Sequence, residues 1–299
     1  MIVTPEGSPT ISIIIVNWNT AKLLKRCLDS IYAAVPPISF EVIVVDNASA
    51  DMSVNMVEAD FPEVMVVRNA ENLGFAAGVN LGLARARGEF MMLLNPDTEL
   101  RPGAAALMLD FMKAHPDVGL VGPRLVLPNG ELLKSGRKFP SFVREALETT
   151  RLYRLIRGHH DNRMLWGRED FDSNVEVDEV SGACMLVRKA AFDSVGPLDE
   201  RFFVYYEDVD WCLRMKKAGW KVCYVGEAEV VHSWAQGALK LGVLESKGLL
   251  YRSQYLYFLK HHGLVQALTL RALSRLLLLA LRVKYAVRPP RIENRGNCA

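Results

Sequence analysis

Apolar runs that alternate with helical patterns dominate the first 115 residues. Runs of β-branched and large apolar side chains predict strands at residues 11–16, 41–45, 64–67 and 89–94. Residues 51–59 and 75–87 suit helices, and apolar residues at helical spacing follow the first run from Leu23 to Ile31. Because such strands are buried on both faces, the pattern predicts an α/β fold with a mostly parallel, Rossmann-like sheet covered by helices on both faces.

Three glycines recur every four residues at the third predicted helix. Gly74, Gly78 and Gly82 would share one helix face and let the helix approach the sheet closely, which is the simplest interpretation of the last two. Gly74 would lie at the helix start, where backbone N–H groups can face a phosphate or a ribose. The spacing does not match G-x-G-x-x-G, so no dinucleotide fingerprint is predicted.

The pattern changes after residue 115. A hairpin is predicted around Asn129-Gly130, residues 135–175 read as an irregular insert, and a helix begins near Glu207. Further strands are predicted at residues 180–187, 220–225 and 229–232.

The C-terminal region is basic and rich in leucine. Residues 240–299 hold 11 lysines and arginines against 2 acidic residues, a charge of +9, while the rest of the chain carries −7. Arg271, Arg275 and Arg282 interrupt the apolar stretch 264–286 and fall on one helix face, so a helix in the interface of an anionic membrane fits better than a bilayer span. The alternative to membrane docking is that this helix packs on the protein body or on a second subunit, as in a homodimer.

Composition limits the remaining classes. The five cysteines form no C-x-x-C pair, so neither a zinc site nor a disulfide framework is indicated, and a reducing compartment is expected. Residues 1–9 show no basic stretch followed by a long apolar run, so no secretory signal is expected. The acidic body argues against a nucleic-acid-binding protein. We expect a cytoplasmic protein that is peripheral on the inner face of the plasma membrane if the C-terminal helix docks there.

Two carboxylates end apolar strands. Asp46 follows the second predicted strand, and Asp97 follows the fourth after a proline that fixes the turn. The carboxyl ends of parallel strands form the edge where ligands bind in open α/β sheets, so these acids indicate a nucleotide and a metal ion. The alternative is that each acid serves only as a turn or helix-cap residue.

A third group of acids begins the helix near residue 207. Glu207, Asp208 and Asp210 are partly explained by the helix macrodipole, which favours acids at a helix start. The preceding aromatic run could instead raise a carboxyl pKa towards that of a general base. His232, which ends a strand, could bind a metal through a neutral imidazole, although a lone histidine is usually structural.

Five segments in this order resemble the family 2 inverting glycosyltransferases of the GT-A fold, and their bacterial rhamnosyltransferase-like branch in particular. Each segment is weak alone, but together they cover about residues 10 to 235. They are Ser12-Ile-Ile-Ile-Val-Asn-Trp-Asn19, Val44-Val-Asp46-Asn-Ala-Ser49, Asn72-Leu-Gly-Phe-Ala-Ala-Gly-Val-Asn80, Leu93-Leu-Asn-Pro-Asp97 and Tyr206-Glu-Asp-Val-Asp210.

The resemblance implies a role for individual residues. Asp208 matches the catalytic base, with the adjacent Glu207 as the alternative. Asp97 takes the last position of the family's D-x-D metal motif, whose first position is Asn95 here, and His232 matches a histidine that completes the metal site in some relatives. Asp46 would bind the pyrimidine edge of the nucleotide. The nucleotide-sugar site as a whole would comprise Asn17, Asn19, Asp46, Asn47, Asn72, Gly74, Asn80, Asn95 and Asp97.

The resemblance also implies the reaction. The protein would be a metal-dependent inverting glycosyltransferase that uses Mg²⁺ or Mn²⁺ and moves a sugar, L-rhamnose by preference, to a hydroxyl of a lipid-linked or oligosaccharide acceptor in cell-surface polysaccharide synthesis. The donor would be dTDP-rhamnose, with a UDP-sugar as the alternative. A non-catalytic, membrane-docked nucleotide-sugar-binding module is the alternative function. Nucleotidyl transfer ranks last, because no glycine-rich phosphate loop follows the first strand.

These expectations define the predicted domains. Residues 1–238 form a GT-A glycosyltransferase domain, with a nucleotide-sugar-binding half at 1–115 and an acceptor and catalytic half at 116–238. Residues 239–299 form a basic, leucine-rich helical extension.

Overall fold

The computed structural model describes residues 7–35, 37–133, 135–155, 173–233 and 241–287. The chain forms two compact units. The first comprises Met1–Phe139 and His160–Gly237, and the second comprises Pro140–His159 and Ala238–Ala299.

The first unit contains twelve strands and six helices in its described residues. The strands are β1 (Ile11–Asn17), β2 (Phe40–Asp46), β3 (Met65–Arg68), β4 (Phe90–Leu94), β5 (Thr98–Leu100), β6 (Val118–Val126), β7 (Leu132–Leu133), β8 (Gly136–Arg137), β9 (Val175–Glu176), β10 (Glu179–Val180), β11 (Cys184–Arg188) and β12 (Lys221–His232). The helices are α1 (Ala21–Ala34), α2 (Ser53–Asp60), α3 (Phe75–Leu83), α4 (Ala104–Ala114), α6 (Lys189–Val195) and α7 (Glu207–Lys217), while α5 (Phe142–Thr150) lies in the second unit.

One central sheet organises this unit. Its strand order is β3-β2-β1-β4-β11-β6-β12-β5, with β7 on β6 and β9 on β12. Strands β1 to β4 are parallel, whereas β11 runs antiparallel between β4 and β6. The carboxyl ends of β1, β2 and β4 therefore meet at one edge, as the sequence predicts.

The sheet is apolar on both faces because helices cover both. Within β1, Ile13 and Ile15 pack in the core with α1 and α4, while Ile14 and Val16 pack in the core with α3 and α7. This arrangement explains why the strands read as continuous apolar runs.

The glycines of α3 allow close packing on the sheet. A Cβ added at Gly78 would lie 2.8 Å from the side chain of Val16, and one added at Gly82 would overlap Ile14. Both glycines are therefore needed for the contact between α3 and β1, which agrees with the packing interpretation of their spacing.

The structure differs from the predicted elements at several places, and strand β5 and helix α6 were not predicted. The strand predicted at 180–187 is two strands, because the chain turns at 181–183 between β10 and β11. The strands predicted at 220–225 and 229–232 are one strand, β12, whose register against β6 shifts between Val225 and Glu229. A helix, α5 (Phe142–Thr150), forms where an irregular insert was expected, since Ser141 caps it by accepting from the Arg144 N–H. Residues 156–172 of that insert lie outside the described residues.

The second unit is helical in its described residues. It contains α5, α8 (Val243–His261) and α9 (Leu264–Val287), and a short 3₁₀ helix at Leu152–Leu155. Gln254 of α8 donates to Glu145 of α5 at 2.7 Å, and both side chains are buried. The segment Leu264–Ala286 is long and apolar enough to cross a membrane by length and composition, and an 18-residue window within it has a mean hydropathy of 1.7.

Candidate active site

Asp46 lies at the carboxyl end of β2 and is almost fully buried. Its Oδ1 accepts from Asn17 Nδ2 at 2.8 Å and from Ser49 Oγ at 2.6 Å, and its Oδ2 accepts from the Ser49 N–H at 2.9 Å. The carboxylate thus closes the turn that follows β2, so the turn interpretation of Asp46 holds locally.

Asn17 and Asn19 attach the end of β1 to the same turn. Asn17 is buried, donates to Ser49 Oγ as well as to Asp46, and accepts from the hydroxyl of Thr20. Asn19 has a φ of 56° and accepts from the Ala50 N–H through its side chain, while its own N–H donates to Ser49 Oγ. Left-handed backbone at Asn19 is tolerated because asparagine adopts it more readily than most residues.

Asn47 connects this turn to the start of α3. Its Nδ2 donates to Gly74 O at 3.0 Å and to Asn72 Oδ1 at 3.2 Å, and Asn72 Oδ1 accepts the Gly74 N–H. The N–H of Phe75 donates to Phe203 O at 2.6 Å. The first two N–H groups at this helix start therefore have partners within the protein.

Asn80 lies away from this turn, on the other side of α3. Its Nδ2 donates to Leu198 O and to Glu200 Oε1, both at 2.9 Å, and its Oδ1 accepts the Leu198 N–H at 2.9 Å. The side chain is therefore fully engaged with the segment that leads from α6 to α7.

Asp97 lies in the turn between β4 and β5, beside His232. β5 pairs antiparallel with the end of β12, which sets His232 opposite Thr98. His232 Nε2 is 3.2 Å from Asp97 Oδ1, and both side chains are about nine-tenths buried. Asn95 precedes this turn and is held through its backbone, since its N–H donates to Ala183 O and its carbonyl accepts from Thr98.

The Asp97 and His232 pair fits a divalent cation. A carboxylate oxygen and an imidazole nitrogen are common ligands of Mn²⁺, and adjacent ligands at about 2.1 Å from an octahedral ion lie about 3 Å apart. The 3.2 Å separation of the two atoms agrees with that spacing, and it is equally the distance of a direct ion pair between the two side chains. Within the described residues no third His, Cys, Asp or Glu joins them, so any further ligands would come from other groups.

Glu207 and Asp208 begin α7 in different environments. Asp208 is half-buried, and its carboxylate accepts the N–H of Gly182 and that of Val209, both at 2.9 Å. Glu207 is buried, and its Oε2 accepts no hydrogen bond from the described residues. Burial, and then the charge of Asp208, raise the pKa of Glu207 well above its ordinary value.

The predicted residues form neighbouring groups along the sheet edge. Asp46 ends β2 and Asp97 follows β4, with β1 between them, so two interstrand spacings separate these positions by roughly 10 Å. Asn17, Asn19, Asn47, Asn72 and Gly74 join Asp46 in one hydrogen-bonded group. Asn80 is outside that group.

Sequence reasoning missed Gly182 and Phe203. Gly182 donates to Asp208 from the turn between β10 and β11, and a glycine within an apolar run is a signal for such a turn. Phe203 contacts Gly74, and no local pattern indicates that contact.

The sequence matches the profile of one protein family over well more than half of its length. That family is Glycosyl transferase family 2, and the match covers residues 12–196. The chain belongs to glycosyl transferase family 2. This confirms the family expected from the sequence, and the protein is a glycosyltransferase.

Curated relatives of this family 2 glycosyltransferase include a bacterial and an archaeal enzyme. The N-acetylglucosaminyl-diphospho-decaprenol L-rhamnosyltransferase of Mycobacterium tuberculosis is 32% identical over 237 residues, which cover 74% of this chain and 75% of that protein. The low-salt glycan biosynthesis hexosyltransferase Agl10 of Haloferax volcanii is 25% identical over 226 residues, which cover 74% of this chain and 65% of that protein.

Solved structures of glycosyltransferases share the fold. GalNAc-T7 with UDP, GalNAc and Mn²⁺ superposes with a TM-score of 0.60 at 15% identity, over 95% of this chain and 58% of that one. The mannosyltransferase PcManGT from Pyrobaculum calidifontis with GDP-Man and Mn²⁺ superposes with a TM-score of 0.55 at 16% identity, over 94% of this chain and 88% of that one. The predicted GT-A fold with C-terminal helices is confirmed.

Proposed function

We propose that this family 2 glycosyltransferase is an inverting rhamnosyltransferase that uses dTDP-rhamnose and a lipid-linked saccharide acceptor. The observation that carries the proposal is Asp208, a half-buried carboxylate fixed by two N–H donors at the start of α7. The donor and acceptor classes rest on the 32% identity to the mycobacterial enzyme, whose name specifies rhamnose and a diphospho-decaprenol acceptor.

Asp208 acts as the general base. It accepts the proton of the acceptor hydroxyl, whose oxygen forms a bond to the anomeric carbon as the bond from that carbon to the diphosphate breaks and its electron pair leaves with the diphosphate. In-line displacement inverts the anomeric configuration without a covalent sugar–enzyme intermediate. Asp208 suits this step better than Glu207, because it is accessible and oriented by the Gly182 and Val209 N–H groups.

Asp97 and His232 would hold the cation, Mn²⁺ or Mg²⁺. When bound, the ion offsets the negative charge that develops on the diphosphate leaving group. His232 would bind the ion through Nε2, and Asp97 would supply the anionic oxygen. Asn95 stands at the first position of the D-x-D motif that the family resemblance implies, so Asp97 would be the one carboxylate that this motif supplies.

The nucleotide half of the site is the group around Asp46. We propose that Asp46 binds the pyrimidine edge through oxygen lone pairs left by its partners, while the fixed side chains of Asn17, Asn19 and Asn47 shape the base pocket. A carboxylate has about four lone-pair sites, and three are used within the protein. The fourth acceptor site would accept a base N–H.

The test is a transfer assay on the purified full-length chain. Radiolabelled dTDP-rhamnose and UDP-sugars are each incubated with N-acetylglucosaminyl-diphospho-polyprenol and Mn²⁺, and the lipid product is counted and its anomeric configuration read by NMR. Transfer of rhamnose with inversion is expected. Retention of configuration would contradict the mechanism. Nucleotide-sugar binding without transfer to any acceptor would favour the alternative function, a non-catalytic binding module.

We also propose that α9 docks on the anionic inner face of the plasma membrane, near a lipid-linked acceptor. One face of α9 packs within the second unit through buried side chains that include Ala267, Leu270 and Leu281. The opposite face exposes an apolar stripe, with Val265 79% and Leu276 66% exposed. The stripe comprises Leu264, Val265, Leu268, Leu276, Leu279 and Val283.

Charge complementarity supports an anionic membrane as the partner of this face. At 3.6 residues per turn, Arg271, Arg275 and Arg282 line one border of the stripe, and the stripe itself spans roughly 120° of the helix. A cationic border beside an exposed apolar face is the arrangement of helices that lie in an anionic interface. At the inner face of the plasma membrane the protein would have access to a cytoplasmic nucleotide sugar. A reducing cytoplasm also agrees with the four free, buried cysteines of the described residues.

Vesicle flotation tests the docking. Binding to phosphatidylcholine vesicles should require phosphatidylglycerol and should fall in the variant Arg275→Glu/Arg282→Glu. The variant Lys22→Glu/Lys113→Glu changes the net charge equally on the first unit and should still bind. An equal loss of vesicle binding in both variants would contradict docking through α9. The docking would also be contradicted if sedimentation showed a stable wild-type dimer and a monomeric Arg275→Glu/Arg282→Glu variant. Resistance to a carbonate wash would indicate a bilayer span instead.

A further inference from the structure

The segment between α6 and α7 carries the proposed base. It runs from Gly196 to Tyr206, is called the base loop here, and leads directly into Glu207 and Asp208. Its last two residues, Tyr205 and Tyr206, have φ values of 68° and 67°. Left-handed backbone is unfavourable for bulky side chains, so such a conformation persists only where surrounding contacts impose it.

Asn80 supplies the first of these contacts. Its amide engages both backbone groups of Leu198, accepting the N–H and donating to the carbonyl, each at 2.9 Å. The second amide proton donates to Glu200 Oε1 at 2.9 Å. One side chain of α3 thus pins the early part of the base loop to a helix that packs closely on the sheet.

The second contact joins the loop to the start of α3. Phe203 O accepts the N–H of Phe75 at 2.6 Å, and a Cβ at Gly74 would lie 2.5 Å from that same oxygen. Gly74 O in turn accepts from Asn47 Nδ2. The base loop therefore rests on the residues that also shape the proposed nucleotide group.

The consequence of these restraints is visible at Asp208. Its Oδ2 accepts the N–H of Gly182 at 2.9 Å, and Gly182 leaves so little room that an added Cβ would lie 3.3 Å from Asp208 Cβ. The rest of α7 is anchored by Trp211, which donates to Gly196 O, and by Arg214, which donates to Val195 O and Pro197 O, so this hydrogen bond depends on where the first turn of α7 lies. The N–H of Gly182 is thus a reporter of the Asp208 position.

We propose that Asn80 is a positioning residue for the general base and not a nucleotide contact. Its three hydrogen bonds to the base loop keep Tyr205 and Tyr206 in their left-handed conformation and hold Asp208 against Gly182. The inference rests on the proposed function in taking Asp208 as the base. It assigns to Asn80 a role in turnover rather than in donor affinity.

Two measurements on the full-length Asn80→Ala protein test this role. Hydrogen exchange by NMR should become about tenfold faster at the Phe75 and Gly182 amides, the factor expected when roughly one net hydrogen bond of restraint is lost. Amides of β1 and β2 report global opening and should not change. In the transfer assay, kcat should fall about 10²-fold, as expected for a displaced catalytic group, with the dissociation constant of the donor nucleotide unchanged.

The control is Asn55→Ala, which makes the same chemical change on an exposed position of α2 and should alter neither readout. A weaker donor affinity in Asn80→Ala with unchanged kcat would overturn the proposal in favour of a nucleotide contact. Unchanged exchange at both Phe75 and Gly182 would also overturn it. Because exchange is measured without substrate, it decides about Asn80 even if the protein proves not to transfer rhamnose.

Discussion

Gly74 gives a sharp test of how closely the base loop approaches α3. Its backbone has φ 87° and ψ 177°, a region that is open essentially to glycine. An alanine there would also bring its Cβ to 2.5 Å from Phe203 O and 2.6 Å from the Phe203 ring. Ordinary contact begins near 3.4 Å, so Phe203 must retreat by about 1 Å.

Two terms set the expected magnitude for Gly74→Ala. The backbone conformation costs about 1–3 kcal/mol for a residue with a side chain. Displacement of a packed backbone segment adds about 1–3 kcal/mol, the range for overpacked interiors. The sum, about 2–6 kcal/mol, is a large part of the roughly 5–15 kcal/mol by which a domain is stable.

Gly196 provides a matched control in the same protein. Its φ of 83° and ψ of −178° nearly repeat the Gly74 backbone, but an added Cβ meets nothing within 4 Å. Gly196→Ala should therefore show only the backbone term. Urea denaturation of both variants with linear extrapolation measures the free energies of unfolding. If Gly74→Ala is no more destabilising than Gly196→Ala, the close approach of Phe203 to α3 is wrong.

Three further predictions follow from the site. Glu207→Gln should stabilise the protein at neutral pH. The pKa of the Glu207 carboxyl is higher in the folded state than in the unfolded state, so the folded wild type binds more protons and its stability falls as pH rises above the ordinary pKa of 4.5. Urea titrations that show the same stability difference between variant and wild type at every pH would contradict this. Calorimetry in the presence of dTDP should show Mn²⁺ binding weakened by at least about tenfold in His232→Ala and strengthened in Asn95→Asp. Unchanged Mn²⁺ affinity in His232→Ala would show that His232 is not a metal ligand. Asp208→Asn should lower turnover by about 10² or more with donor affinity retained, and full turnover would refute the base assignment.

Much of the fold was predictable because its signal is local. Strands buried on both faces read as uninterrupted apolar runs, so β1 to β4 and the helices between them follow from periodicity alone. Strand β5 was missed, since Thr98–Leu100 is three residues long and carries no pattern. The break at 181–183 was missed because only three small residues, Ser181, Gly182 and Ala183, separate the apolar residues on either side of the turn.

The candidate site likewise has features that the sequence predicts and contacts that it does not. The sequence by itself indicated that Asp46 and Asp97 lie at one sheet edge, because apolar strands separated by helix-length crossovers are parallel and their carboxyl ends meet at that edge. Only the tertiary structure decided which distant residues meet them. Antiparallel pairing of β12 with β5 brings His232 to 3.2 Å from Asp97, and packing of the base loop on α3 joins Asn80 to Leu198 across 118 positions. Register and loop contacts of this kind depend on the whole folded chain, so no local pattern contains them.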